Sequence, residues 1–238
     1  MTISKSSDGE GIATVVMDDG KVNAFDIAFF RELDDVLGSC GDDAAIVLTG
    51  REGMFSAGLN TKTMATLDED GMTDLLVQFG RTMLRVWLEP RPVVAAVNGH
   101  AIAGGTILAM ACDHAVAATG DYRWGLTETT IGFPLPSWII AIARGNVGAH
   151  HLDDLLLPGQ TVGPARAVEV GFADAVAPLD QVRDAARIRA LQLAGLPRTT
   201  YAETKRRLRG AAVDSVLGGI ETDIRELLRR RGTATAAP

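Results

Sequence analysis

The chain of 238 residues has few cysteines, few aromatic residues and no long hydrophobic run. Its two cysteines, Cys40 and Cys112, are too few for a disulfide scaffold, and their spacing does not match paired metal ligands. No apolar run reaches the ~18–20 residues of a membrane span, and the N-terminus lacks the apolar stretch of a signal peptide. These absences predict a cytoplasmic protein in a reducing compartment, with neither a membrane partner nor a bound metal.

Positive charge is also scarce, because 23 lysines and arginines stand against 30 aspartates and glutamates and leave a net charge of −7. A field of that sign disfavours nucleic acid as a partner. The remaining composition is that of an ordinary globular protein, with 47% hydrophobic and 22% charged residues. A chain of this length can bury a core without disulfides or a structural metal.

Short apolar runs alternate with amphipathic stretches along the first half of the chain. The apolar runs predict three buried strands, at 12–17, 44–49 and 93–97. Helices are predicted from the N-cap Asp26 to Gly38, and over 72–88. This alternation is typical of an α/β fold with largely parallel strands, and helical spacing dominates the last third of the chain.

Two glycine-rich loops follow predicted strands, where ligands of α/β proteins usually bind. One runs through Ser56, Ala57 and Gly58 to Leu59, and the other opens a helix at Gly104. The N–H of Leu59 can point outward from its turn, and the first N–H groups of a helix are unpaired. Two such groups converging on one carbonyl oxygen would stabilise developing negative charge. On spacing alone, glycines that only close tight turns are the more frequent explanation.

A third loop, with the sequence WGLTETTIGFPLP, has Glu128 as its only acidic residue. A carboxylate in such apolar surroundings is expected to have a raised pKa, which suits a general acid or base near neutral pH. A helix-capping or surface glutamate is the alternative that the loop sequence leaves equally open.

Three separated segments resemble the enoyl-CoA hydratase/isomerase superfamily, also called the crotonase family. They are FSAGLN at 55–60, VNGHAIAGGTILAMACD at 97–113 and GLTETTIG at 125–132, with a weaker match, GPARAVEVGFADAVAP, at 163–178. The resemblance implies an α/β fold built as a crotonase-like spiral of ββα repeats with a C-terminal helical region. It implies a spiral core with an acyl-CoA site at 1–180, and helices at 181–238 that cover CoA and form oligomers. The implied assembly is a homotrimer or a dimer of trimers.

Carried over to this sequence, the family's oxyanion-hole amides are those of Leu59 and Gly104, and its acid–base residue is Glu128. Lys62 lies beyond the first loop, where a cation could meet the CoA phosphates. The other predicted substrate contacts are Ala57, Gly58, Asn60, Gly105, Ile107 and, from its proximity in sequence to Glu128, Phe133. No cofactor is expected, because coenzyme A enters as part of the thioester substrate.

The family's hydratases use two glutamates, and Ile107 occupies the first of these positions here. Isoleucine cannot hold or ionise water, so efficient hydration is disfavoured, whereas one base is sufficient to move a double bond. Ile107, with Phe133, Leu135 and Trp138 as apolar neighbours, would keep the pocket dry. Ile107 also fits a plain core position in the helix that starts at Gly104.

The single glutamate in GLTET and the leucine after Ala-Gly most resemble the Δ3,Δ2-enoyl-CoA isomerases. The predicted reaction moves the double bond of a 3-enoyl-CoA to the 2-position, as in fatty acid β-oxidation, with Glu128 as the single acid–base residue. The alternatives are an enoyl-CoA hydratase and an acyl-CoA-binding family member with little turnover.

Overall fold

The computed structural model describes residues 2–235, with side chains from 3 to 230. The predicted regions 1–180 and 181–238 also include Met1 and residues 236–238, which lie outside the described residues. The strands are β1 (Thr2–Ser7), β2 (Ile12–Asp18), β3 (Ala24–Phe25), β4 (Ala45–Thr49), β5 (Gly53–Ser56), β6 (Gly58–Leu59), β7 (Val93–Val97), β8 (Gly99–Ile102), β9 (His114–Ala118), β10 (Trp124–Gly125) and β11 (Ala175–Ala177).

Helices occupy most of the remaining described chain, together with two 3₁₀ turns at Glu128–Ile131 and Ala149–His151. The α-helices are α1 (Ile27–Ser39), α2 (Thr61–Met64), α3 (Glu69–Trp87), α4 (Gly104–Ala111), α5 (Ser137–Asn146), α6 (Leu152–Leu156), α7 (Pro164–Val170), α8 (Val182–Ala194), α9 (Arg198–Leu217) and α10 (Ile220–Thr235). Among the described residues, no helix is both long and apolar enough to cross a bilayer.

The strands form a six-stranded sheet in the order β1-β2-β4-β7-β9-β11 and two smaller sheets, β10-β8-β5 and β3-β6. All pairs are parallel except β1 with β2. Along the chain, a strand of the large sheet is followed by strands of the smaller sheets and then by a helix, as in β4, β5, β6 and α3. The predicted α/β spiral of ββα repeats with C-terminal helices is therefore confirmed.

The large sheet is buried on both faces, which explains why its parallel strands are continuous apolar runs. Alternate residues of one strand enter different cores: Val15 of β2 packs into the main core, whereas Ile12 packs toward α8. The predicted strands at 12–17, 44–49 and 93–97 are confirmed as β2, β4 and β7.

Helix α1 begins where the sequence predicts, because the Asp26 side chain accepts a hydrogen bond from the Phe29 N–H at 2.8 Å. It ends one residue beyond the predicted Gly38, at Ser39. Helix α3 starts at Glu69, three residues earlier than predicted, because Asp68 caps it by accepting from the Gly71 N–H. Buried residues of both helices pack into the main core, and α3 also reaches the cavity described next.

Candidate active site

The two glycine-rich loops lie directly against each other. Gly58 has φ +83°, and a Cβ added there would lie 2.8 Å from the Gly104 nitrogen. A Cβ on Gly105 would lie 2.4 Å from the carbonyl oxygen of Ser56. Neither contact leaves room for a side chain, so glycine at both positions allows the two backbones to touch. The fold thus brings together two segments that are more than forty residues apart in the chain.

The N–H groups of Leu59 and Gly104 are oriented by the elements that contain them. The neighbouring Asn60 N–H donates to the Phe25 carbonyl of β3 at 2.8 Å, and successive N–H groups of a strand point to opposite sides. The Leu59 N–H is therefore directed away from β3. Gly104 is the first residue of α4, so its N–H has no acceptor within the helix.

Ala103 connects the second loop to the third. It precedes α4 with φ +49° and ψ −117°, a conformation that residues other than glycine rarely adopt. Its N–H donates to the Gly125 carbonyl at 2.7 Å, and the Thr106 hydroxyl accepts from the Gly125 N–H at 3.0 Å. These hydrogen bonds hold the start of α4 beside the loop that carries Glu128.

A cavity of about 190 Å³ opens where the three loops meet. Its lining comes from all three loops and from helices α2, α3 and α5, and consists of Ala57, Leu59, Thr61, Met64, Leu76, Phe79, Ala103, Gly104, Thr127, Glu128, Ile131, Phe133, Pro136, Trp138 and Ile139. In this described lining, Glu128 is the one side chain that titrates near neutral pH. The rest is apolar apart from two threonine hydroxyls, the indole N–H of Trp138 and the backbone.

Glu128 begins the 3₁₀ turn Glu128–Ile131 and is 9% exposed. Its Oε2 is buried and accepts no hydrogen bond from any described residue. Burial disfavours the charged carboxylate, and this desolvation raises the pKa of Glu128 from 4.5 to about 7. The hydrogen bond from the residue's own N–H acts in the opposite direction and is the smaller effect. The carboxyl group can therefore take up and release a proton near neutral pH.

Several residues predicted to contact the substrate are not among the described lining of this cavity. The Asn60 side chain accepts from the N–H groups of Lys62 and Thr63, at 3.1 and 3.2 Å, and so caps α2. The Lys62 side chain is exposed on that short helix and is outside the cavity lining. Ile107 is fully buried in the main core, and it too is absent from the described lining.

Of the apolar neighbours predicted from sequence, Phe133 and Trp138 line the cavity, whereas Leu135 lines a separate surface pocket. Sequence reasoning missed Leu76 and Phe79 of α3. They belong to the buried stripe of that helix, and the helical spacing of the stripe was visible. Nothing in the spacing indicates which end of the stripe meets the loops.

A model of the family described as enoyl-CoA hydratase/isomerase matches residues 7–229. The chain therefore belongs to the enoyl-CoA hydratase/isomerase family and is an enzyme of that family, as its motifs indicate.

Two kinds of relative illustrate the range of activities within that family. Mitochondrial enoyl-CoA delta isomerase 1 of Rattus norvegicus is 30% identical over 219 residues, which cover 90% of this chain and 76% of the relative. The structure of human mitochondrial delta3-delta2-enoyl-CoA isomerase superposes with a TM-score of 0.92 at 25% identity, covering 98% of this chain and 93% of the other. An enoyl-CoA hydratase structure from Mycobacterium ulcerans gives a TM-score of 0.87 at 26% identity, with 93% and 98% covered.

Proposed function

We propose that the protein is an enoyl-CoA isomerase that converts a 3-enoyl-CoA into the corresponding 2-enoyl-CoA. The observation that carries this proposal is the buried, unpaired Oε2 of Glu128, the single titratable group among the described lining residues. Leu59 and Gly104 line the same cavity with backbone N–H groups that have no partner in their own element. A lone base beside two such donors is what a double-bond shift needs.

The reaction begins with the Glu128 carboxylate, which removes a proton from C2 of the bound thioester. The electrons of that C–H bond move toward the thioester carbonyl, and the resulting dienolate oxygen accepts hydrogen bonds from the Leu59 and Gly104 N–H groups. The Glu128 carboxylic acid then delivers the proton to C4 while the double bond moves to C2–C3. One proton leaves and one returns, so neither water nor a cofactor is consumed.

The surroundings of Glu128 support this chemistry in two ways. A pKa of about 7 lets one carboxyl group act first as a base and then as an acid at neutral pH. The apolar lining, which includes Phe79, Phe133 and Trp138, excludes water that could add to the product. Hydration of a 2-enoyl-CoA is the second candidate, because a relative named as a hydratase shares the fold over nearly the whole chain.

The test is to incubate the purified protein separately with a 3-enoyl-CoA and a 2-enoyl-CoA and to identify the products by mass and chromatography. We expect the 3-enoyl thioester to become the 2-enoyl thioester without a change in mass. Glu128→Gln should lower the rate roughly 100- to 10,000-fold, the range typical of a general acid–base residue. The matched control is Glu52→Gln, which makes the same change at an exposed position outside the cavity lining and should leave the rate unchanged.

Other products would contradict the proposal. A gain of one water from the 2-enoyl substrate, without isomerisation of the 3-enoyl substrate, identifies a hydratase. Binding of both thioesters without turnover identifies a family member that binds acyl-CoA without catalysis.

A further inference from the structure

The cavity has an open end and a closed end. Ile131, 59% exposed, and the exposed Thr61 mark the open end. The closed end is the most buried part of the lining, whose side chains are each at most 2% exposed, namely Leu76, Phe79, Trp138 and Ile139. A CoA thioester that enters from solvent with its carbonyl at Leu59 and Gly104 would therefore extend its acyl tail toward the closed end.

Two aromatic rings form the floor of this closed end. Phe79 of α3 and Trp138 of α5 pack edge to face, with ring centroids 4.8 Å apart and planes at 80°. The Phe79 ring is in turn stacked on Phe30, with centroids 4.9 Å apart. Because each ring is held by the core behind it, the pair is a fixed wall.

The Trp138 ring cannot move away from the cavity, because the space behind it is filled. A Cβ added to Gly80 would lie 2.9 Å from Trp138 Nε1 and 2.5 Å from Cδ1 of Ile220. Ile220, the first residue of α10, is itself buried at 3% exposure. The Trp138 indole therefore packs directly against the backbone of Gly80 in α3. Ile220 of α10 packs against the same glycine.

The volume in front of this floor is small. At about 190 Å³ it falls below the ~300–1,000 Å³ of sites that enclose drug-sized ligands. The reacting thioester atoms beside Glu128 use part of that space. We propose that the Phe79–Trp138 pair limits how much of the acyl chain the cavity can bury, so that the enzyme accepts hexenoyl-CoA and gains no binding from the additional methylenes of dodecenoyl-CoA. This inference rests on the proposed acyl-CoA function and names the substrate class within it.

Binding of saturated acyl-CoA thioesters tests the floor separately from the reaction, because hexanoyl-CoA and dodecanoyl-CoA have no double bond to move or hydrate. In a pocket without a floor, each added methylene raises affinity about four-fold. We expect the wild-type protein to bind dodecanoyl-CoA less than ten-fold more tightly than hexanoyl-CoA, as measured by titration calorimetry.

Two variants should lengthen the cavity by replacing an aromatic ring at its closed end with a smaller side chain. Trp138→Leu, and separately Phe79→Leu, should each raise the ratio of dodecanoyl-CoA to hexanoyl-CoA affinity at least ten-fold. The matched control is Phe172→Leu, which makes the same change at a position that is equally buried but outside the cavity lining, and it should leave the ratio unchanged. Two different opening variants keep the test decisive if one of them fails to fold.

The possible outcomes distinguish failure of the chain-length limit from failure of the proposed acyl-CoA function. If the wild type binds dodecanoyl-CoA ten-fold or more tightly than hexanoyl-CoA, or if neither opening variant changes the ratio, the inference is wrong while the acyl-CoA function stands. If neither thioester binds, the acyl-CoA function is wrong, and the chain-length limit is overturned with it.

Discussion

The carboxyl group of Glu128 should give the enzyme a simple pH dependence. The proposed reaction starts from the carboxylate, and burial raises the pKa of this group to about 7. We therefore expect kcat/KM for a 3-enoyl-CoA to rise with pH through about 7 and to level off above it. Steady-state rates from about pH 5 to about pH 9 would measure this. A profile that is flat, or that falls with rising pH across this range, would rule out Glu128 as the base.

The same carboxyl group should lower the stability of the folded protein at alkaline pH. The folded-state pKa of about 7 lies above the ordinary 4.5, so the folded state binds the proton more tightly than the unfolded state does. The stabilisation that the folded state gains by binding this proton is therefore lost as pH rises from about 4.5 to about 7. Relative to wild type, Glu128→Gln should gain up to about 3 kcal/mol in free energy of unfolding over this interval.

Urea unfolding of both proteins at about pH 4.5 and about pH 8 would measure this gain. If the difference between the two proteins is the same at both pH values, Glu128 is not the desolvated group that the structure shows.

At the scale of single elements, the start of helix α4 stores backbone strain in Ala103. Its φ of +49° and ψ of −117° cost of order 1–3 kcal/mol for a residue with a Cβ. Glycine adopts this conformation freely but loses roughly 0.4–1 kcal/mol through the entropy of the unfolded chain. We expect Ala103→Gly to raise the free energy of unfolding by about 1 kcal/mol, as measured by denaturant titration.

The control for this prediction is Ala101→Gly, in strand β8, where alanine is fully buried and has an ordinary backbone conformation. That change should destabilise the protein, because it removes a packed methyl group and frees the unfolded chain. Equal destabilisation by the two substitutions would show that Ala103 is not strained.

Elements differ in how far the sequence predicts them. Strands β2, β4 and β7 were predictable because β-branched apolar runs bounded by turn residues are distinctive. The two-residue strands β3 and β6 were not, because they are too short to show alternation and exist only through pairing across the fold. Helix α9 also lacks a clear apolar stripe, since one of its few buried residues is Lys205.

The residues of the site also differ in how far the sequence predicts them. Leu59, Gly104 and Glu128 could be identified because each belongs to a local motif, and the fold brings all three to one cavity. The orientation of Ile107 could not be predicted, because every residue of α4 is buried and the helix has no polar face to indicate which side meets the pocket. The floor formed by Phe79 and Trp138 depends on how two helices pack.

At the scale of the whole molecule, Asp113 joins helix α9 to the sheet. Its carboxylate accepts from Lys205 Nζ at 2.6 Å, from Arg209 at 2.8 Å and from the Val93 N–H at 2.8 Å. The side chains of Asp113 and Lys205 are only 6% and 5% exposed. Removing one partner of such a buried pair leaves a charge without compensation in the interior.

Asp113→Ala should therefore lower the free energy of unfolding by about 3–5 kcal/mol. Because α9 is anchored to the sheet through this group, the loss should appear in a single cooperative transition. Thermal and denaturant unfolding would measure both features. The exposed ion pairs of Glu203 with Arg206 and Arg207 provide the comparison, since Glu203→Ala removes pairs that solvent already screens and should cost far less than Asp113→Ala. A similar loss in both variants would contradict this role for Asp113.

A buried carboxyl group that is half protonated at neutral pH also couples ligand binding to the buffer. Any thioester that favours one charge state of Glu128 takes up or releases a fraction of a proton as it binds. The calorimetric heat of binding should then vary with the ionisation enthalpy of the buffer, most steeply near pH 7, and should lose this dependence in Glu128→Gln. The unpaired oxygen in the cavity lining therefore makes proton exchange part of the thermodynamics of each such complex.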